Sequence, residues 1–143
     1  MFDFIEVLRG ELPRFKKVLE LGSKDGKDLK LLHEYYEVVA SEDTKLKTRA
    51  LKDEFIDIRV ILLEPISMDT HKKFDCIFSR NLYDDLDETK IEVSFENQKK
   101  VLEKDGIIFH IFDENKRDLS KYISSDFELL KSENNYFIAK LKS

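Results

Sequence analysis

Val18–Leu29 (VLELGSKDGKDL) is the stretch that most restricts the fold open to this chain. Val18 to Leu21 is a short apolar run that reads as a buried strand carrying a single acid, Glu20. Gly22 and Gly26 then bracket a turn, after which Asp28, Leu29, Leu31 and Leu32 restart the pattern at helical spacing. A strand, a glycine turn and a helix in that order present free backbone N–H groups and a helix N-terminus to a ligand. The first glycine lets the chain turn sharply, and either one lets a ligand approach the backbone closely. Glu20 is an ionised group near a buried strand end, which is costly there without a hydrogen-bond partner. On this stretch alone, a ligand-binding turn and an ordinary strand-to-helix turn with a surface acid both stand.

The remaining chain repeats the alternation. Phe4, Ile5 and Leu8 predict a short opening helix before Gly10 and Pro13. The helix after the glycine turn is expected to reach about Tyr35. A strand follows over Tyr36 to Ala40, ending in Ser41, Glu42 and Asp43. Thr44 can cap a helix running through Leu46, Ala50 and Leu51. Ile58 to Leu63 predicts a third strand, closed by Glu64 and Pro65, and Phe74 to Phe78 a fourth. The connection between them is too short for a long helix. A polar loop from Ser79 to Leu86 leads to a helix from about Asp87 to Leu102, stopped by Asp105 and Gly106. Ile107 to Phe112 is the fifth strand, and a short helix is expected around Leu119 to Ile123. Phe127 to Leu130 and Tyr136 to Leu141 flank a hairpin turn at 132–135. Continuous apolar strands separated by helices indicate a parallel sheet covered on both faces. The expected fold is therefore α/β: a doubly wound, mostly parallel, seven-stranded sheet with an antiparallel C-terminal hairpin, in a three-layer α/β/α sandwich.

With 143 residues, 41% of them hydrophobic, residues 1–143 suit one domain with a packed core. The net charge of −5, with acids and bases interspersed, lacks the basic footprint of a nucleic-acid binder. Cys76 is the single cysteine, and no zinc-type Cys/His spacing occurs, so neither a disulfide nor a metal is expected. No apolar run is long enough for a transmembrane helix, and the amino end does not read as a signal peptide. A cytoplasmic location without membrane partners is the expectation.

Five short motifs in order then carry a resemblance. Glu20-Leu-Gly22-Ser23-Lys24-Asp-Gly26 is similar to an opening acid with spaced glycines, and 38–42 (VVASE) to a second strand ending in an acid. Residues 63–65 (LEP), 74–82 (FDCIFSRNL) and 101–108 (VLEKDGII) follow at matching places. Together with the closing hairpin, they make the chain resemble the class I S-adenosylmethionine-dependent methyltransferases over nearly all of its length. The resemblance implies S-adenosylmethionine as cofactor, with Glu20, Gly22, Ser23 and Gly26 around it. It implies Glu42 on the ribose hydroxyls, or Asp43 if the strand is shifted by one, Glu64 beside adenine, and Ser79 at the end of the fourth strand. Lys24 departs from it, standing where the family usually has its middle glycine. A side chain there can crowd the methionyl part of the cofactor, or place a cation near its carboxylate.

The implied activity is methyl transfer to an acceptor, a small molecule or a protein sooner than a nucleic acid. No catalytic residue is assigned. The alternative is a catalytically silent subunit of the same fold that binds or regulates a partner. A nucleotide-binding oxidoreductase fits less well, because Gly22 and Gly26 do not give G-x-G-x-x-G. The chain also lacks the extra segments with which such enzymes often cover the substrate. A second copy or a partner protein is therefore expected over the surface around Tyr83 and Leu86. Tyr83 either walls the pocket or packs on the neighbouring helix. His110 and Cys76 read as core residues, with a general base the lesser reading for His110. Asp84, Asp85, Asp87, Asp113 and Glu114 read as a solvated acidic rim.

Overall fold

In a computed structural model describing residues 2–142, seven strands form one sheet. They are β1 (Lys17–Leu21), β2 (Glu37–Glu42), β3 (Arg59–Leu62), β4 (Phe74–Arg80), β5 (Leu102–Ile111), β6 (Phe127–Ser132) and β7 (Tyr136–Leu141). Their order is β3-β2-β1-β4-β5-β7-β6. Strands β1 to β5 pair in parallel, and β7 lies antiparallel between β5 and β6. The chain winds outward from β1 to β3, then returns to place β4 on the other side of β1. Between β1 and β4 the direction of winding reverses, and the crevice outside the carboxyl ends of those strands is where such sheets receive ligands.

Helices α1 (Phe4–Arg9), α2 (Lys27–His33) and α3 (Lys45–Glu54) cover one face, and α4 (Glu88–Gln98) with the 3-10 turn Leu119–Tyr122 covers the other. The helix starts follow from local chemistry. Asp3, Thr44 and Asp87 each turn a side-chain oxygen onto backbone N–H groups of the next turn, a cap worth about 1 kcal/mol. The period of two along each strand divides the core. Val18, Cys76, Phe78 and Phe109 face α1 and α2, while Leu19, Leu21, Ile77 and Ile108 face α4. Cys76 is fully buried and its thiol is pushed up by that burial, in keeping with a core role.

The fold matches the sequence expectation, with several element ends shifted. The helix expected to reach Leu102 stops at Gln98, and β5 begins at Leu102, which pairs with Phe74. The pairing then shifts register, with Asp105 at φ 64, before running evenly from Ile107. Burial of Val101 and Leu102 holds this early strand start against the helical pattern. Strand β4 runs on to Arg80 because Ser79 and Arg80 keep pairing with His110 and Ile111. Strand β2 likewise reaches Glu42, so the acid is the last residue of the strand. No helix among the described residues is long and apolar enough to cross a membrane.

Candidate functional site

The carboxyl ends of β1, β2 and β4 surround a cleft whose centre is the turn 22–26. Gly22 (φ 63), Lys24 (φ 53) and Gly26 (φ 81) all hold left-handed backbone. A Cβ on Gly22 would lie 3.1 Å from Leu82 Cδ1, so the turns after β1 and β4 close on each other there. At Gly26 a Cβ would sit 2.3 Å from the Phe55 ring, which leaves only glycine to start α2. The turn is tied to β2 by Ser23 N–H donating to Ser41 O (3.0 Å) and Ser41 Oγ donating to Glu20 O (2.7 Å).

Two cavities open on either side of this turn, and both are lined by Gly22 and Lys24. The smaller, 330 Å³, lies over the ends of β2 and β3, between Ser41, Glu42, Asp43, Leu63 and Pro65. The larger, 910 Å³, lies toward α1 and α2, with Phe2, Phe4, Glu20, Ser23, Asp28 and Arg80 in its wall. One is apolar with acids at its edge; the other is rich in charge.

Glu20 is the most unusual group in the cleft. Alternation along β1 turns it onto the α1/α2 face, where it is 3% exposed and its Oε1 has no hydrogen-bond partner. Burial pushes its pKa up to about 7, opposed by a hydrogen bond with Ser23; the Asp28 and Glu42 carboxylates raise it further, and Arg80 lowers it. A buried carboxylate oxygen left unpaired at a cavity wall is a place prepared for a donor or a cation. Arg80 follows the same alternation, being two residues past Phe78. Its guanidinium lies 5.2 Å from the Phe4 ring centre and its Nε donates to Asp28 Oδ2 at 2.7 Å. This pair joins α1, α2 and β4 into one wall. Neither Arg80 nor Asp28 was expected from the sequence, where a charged pair on two distant elements leaves no periodic signal.

Glu42 and Asp43 divide as the smaller cavity requires. Glu42 is buried and its Oε2 accepts the Lys24 N–H at 2.5 Å; Asp43 is exposed and pairs with Lys47 at 3.5 Å. Both line the cavity. Glu64 lies elsewhere: its Oε2 accepts the N–H groups of Ile66 (2.8 Å) and Ser67 (2.6 Å), closing its own turn. Its neighbours Leu63 and Pro65 line the cavity instead.

Ser79 also stands away from the cleft. The alternation that sends Phe78 and Arg80 toward α1 sends Ser79 to the α4 face, fully buried and paired in register with His110. Ser79 Oγ and His110 Nδ1 are 2.6 Å apart, and His110 Nε2 is 2.8 Å from Gln98 Oε1. The Gln98 amide nitrogen donates to Tyr83 OH (2.9 Å) and Ser94 Oγ (3.2 Å), and Ser94 Oγ donates to Pro65 O (2.5 Å). With that amide orientation, the imidazole proton belongs on Nε2 and Ser79 donates to Nδ1. Burial drives the His110 pKa down to about 3, so the ring is neutral. It is a core residue here, stacked on Phe95 at 5.2 Å and held by hydrogen bonds on both nitrogens. Tyr83 belongs to the same network and is fully buried; it packs on α4 and presents no surface to a partner. Only half-buried Leu86 remains of the surface expected around that pair. Among the described residues no group of His, Cys, Asp or Glu is arranged to hold a metal ion.

No family model matches the sequence, and no curated relative does. Solved structures do match the fold. A TehB-like S-adenosylmethionine-dependent methyltransferase from Corynebacterium glutamicum superposes with a TM-score of 0.76 at 20% identity, over 96% of this chain and 85% of that one. The fold is that of the class I S-adenosylmethionine-dependent methyltransferases. An S-adenosylmethionine-dependent methyltransferase from Methanosarcina mazei shares this methyltransferase fold over 99% of both chains, with a TM-score of 0.77 at 14% identity. Phosphoethanolamine N-methyltransferase 1 of Haemonchus contortus, solved with S-adenosylhomocysteine, shares it at 18% identity and a TM-score of 0.62, over 73% of this chain and 24% of that one.

Proposed function

We propose that the chain binds S-adenosylmethionine in the cleft between β1, β2 and β4 and transfers its methyl group to an acceptor. The observation that supports this most directly is Glu20, which lines the larger cavity and has a buried, unpaired Oε1. An amino acid joined to a nucleoside fits such a pair of cavities. The ammonium would satisfy Glu20, and the ribose hydroxyls would meet Glu42, which keeps acceptor capacity beyond its bond from Lys24. Leu63 and Pro65 offer apolar contact to a base. Asp43, exposed beside Glu42, is the second carboxylate within that cavity. When bound, the cofactor supplies an electrophilic methyl group on a sulfonium. This chain's contribution is then placement, since alignment of the reacting atoms supplies much of the rate in such a displacement.

The acceptor in this reading is a small molecule or a protein group that reaches the larger cavity, whose wall α1 already forms in part. A second copy or a partner completes the cover over the cleft.

Thermal unfolding tests the reading. S-adenosylmethionine or S-adenosylhomocysteine at about a hundred times its Kd should add about 2.7 kcal/mol, a rise of several degrees in Tm, while NAD should not. No shift with either ligand at millimolar concentration would overturn the proposal. Binding without methyl transfer to any offered acceptor would point instead to the silent subunit.

A further inference from the structure

Lys24 is the cation that the cleft is built around, yet the site described so far gives its side chain no task. Its backbone sits at φ 53, a conformation that glycine adopts freely and lysine does not. The N–H is engaged by Glu42, but among the described residues no hydrogen bond or ion pair holds the ammonium. Among the described residues, Lys24 is the one cationic side chain that lines both cavities. The neighbouring cations differ. Arg80 is committed to Asp28 and Phe4, Lys47 pairs with Asp43, and Lys27 lines only the larger cavity.

Resting on the cofactor reading above, we infer that Lys24 is a specificity-determining residue that recognises the ligand's amino-acid carboxylate. A ligand that places a nucleoside in the smaller cavity and an amino acid in the larger one must cross the shared wall at Lys24. Its carboxylate is its one anionic group, and its ammonium is drawn to Glu20. Lys24 and Glu20 then form a complementary pair for a zwitterionic head: an acid buried on one side, an exposed cation on the other. Lys24 puts a cation at the wall that the two cavities share, where glycine would put none. The site thereby reads the amino-acid end of the ligand, and a nucleoside without that end loses the Lys24 contact entirely.

Two ligands separate these terms: S-adenosylhomocysteine, and 5′-methylthioadenosine, which keeps the adenosine and the thioether but has no amino-acid head. Calorimetric titration of wild type, Lys24→Met and Lys24→Arg with each gives the comparison. Lys24→Met keeps a long side chain and removes the charge. It should weaken S-adenosylhomocysteine by about threefold to tenfold, the range between an exposed and a sheltered charged contact. It should leave 5′-methylthioadenosine unchanged, and Lys24→Arg should restore most of the loss. The difference between the ligands should also shrink at high salt. Equal weakening of both ligands, or no weakening of either, would overturn the carboxylate assignment while leaving the cofactor reading intact. Wild-type protein that binds neither ligand would overturn the cofactor reading and this assignment with it.

Discussion

Replacing Glu20 by Gln tests directly whether the cleft holds an unsatisfied acid. In the folded chain Glu20 titrates near 7 and its ordinary value is 4.5, with burial as the main cause. At 1.36 kcal/mol per pH unit, that difference is on the order of 3 kcal/mol. The folded state binds this proton more tightly than the unfolded state does. The contribution of Glu20 is therefore fully present below about pH 4.5 and is lost as the pH rises through about 7. A neutral glutamine of the same shape escapes that loss. Glu20→Gln should match wild type near about pH 4.5 and exceed it by about 3 kcal/mol above about pH 8, measured by urea unfolding across the range. His110 adds an opposite trend: its pKa falls from 6.5 unfolded to about 3 folded, so its contribution is complete above 6.5 and is lost toward acid. Both proteins carry that trend, and the difference between them cancels it. The same variant should bind S-adenosylhomocysteine about tenfold or more weakly, since it loses a charge-assisted hydrogen bond. A stability difference that does not change with pH, or a variant less stable than wild type above about pH 8, would show that Glu20 is already paired in the folded chain.

Four further outcomes are expected. Glu42→Gln should weaken S-adenosylhomocysteine by about 1.5–3 kcal/mol in calorimetry with a small change in Tm, while Asp43→Ala should leave affinity nearly unchanged. Gly26→Ala should destabilise by about 3 kcal/mol in urea unfolding, because its Cβ meets the Phe55 ring at 2.3 Å in left-handed backbone; Gly22→Ala, facing only the flexible end of Leu82, should cost about 1 kcal/mol. Nitrogen-detected NMR should find the His110 ring neutral, protonated on Nε2, and without titration between about pH 5 and about pH 8. Sedimentation should find a dimer or a stable complex if the cleft is covered by a second chain, and a strict monomer that methylates an acceptor would refute the cover.

The strands were legible as apolar runs bounded by polar turns, and in the central strands β1 and β4 burial on both faces leaves that pattern nearly unbroken. The left-handed turn was legible at Gly22 and Gly26. It was not legible at Lys24, since residue type alone does not announce a lysine with φ above zero. Strand alternation separated two predictions that the sequence placed together. Glu20 and Ser79 both lie at strand ends, but β1 points Glu20 into the cleft while β4 points Ser79 into the α4 face, one residue out of phase with Arg80. Glu64 failed to reach the cavity for a more local reason. An acid three residues before a free N–H closes its own turn sooner than it reaches outward. The Arg80–Asp28 wall and the Gln98–Tyr83–Ser94 network depend on contacts between distant elements, which no local pattern encodes.

The turn after β1 and the network behind β4 treat their buried polar groups in opposite ways. On the α4 face, Ser79, His110, Gln98, Tyr83 and Ser94 are all buried and hydrogen-bonded to one another, ending on Pro65 O. Each proton in that chain has an assigned acceptor, so the network stabilises its elements without needing a ligand. It also fixes Pro65, and with it one wall of the smaller cavity. At the turn after β1, Glu20 is buried with one oxygen unpaired and Lys24 is held in left-handed backbone at φ 53. Strain and unsatisfied polar atoms lower stability, and they persist where the surrounding structure holds them in place. On the cofactor reading, the turn 22–26 gains hydrogen bonds from the ligand, so ligand binding should rigidify residues 20–26 and leave the network behind β4 unchanged. Hydrogen exchange with and without S-adenosylhomocysteine should show protection rising at 22–26 and staying constant at 94–98. Equal protection at 22–26 and 94–98 would mean that both segments respond to the ligand as one body and would refute the local effect.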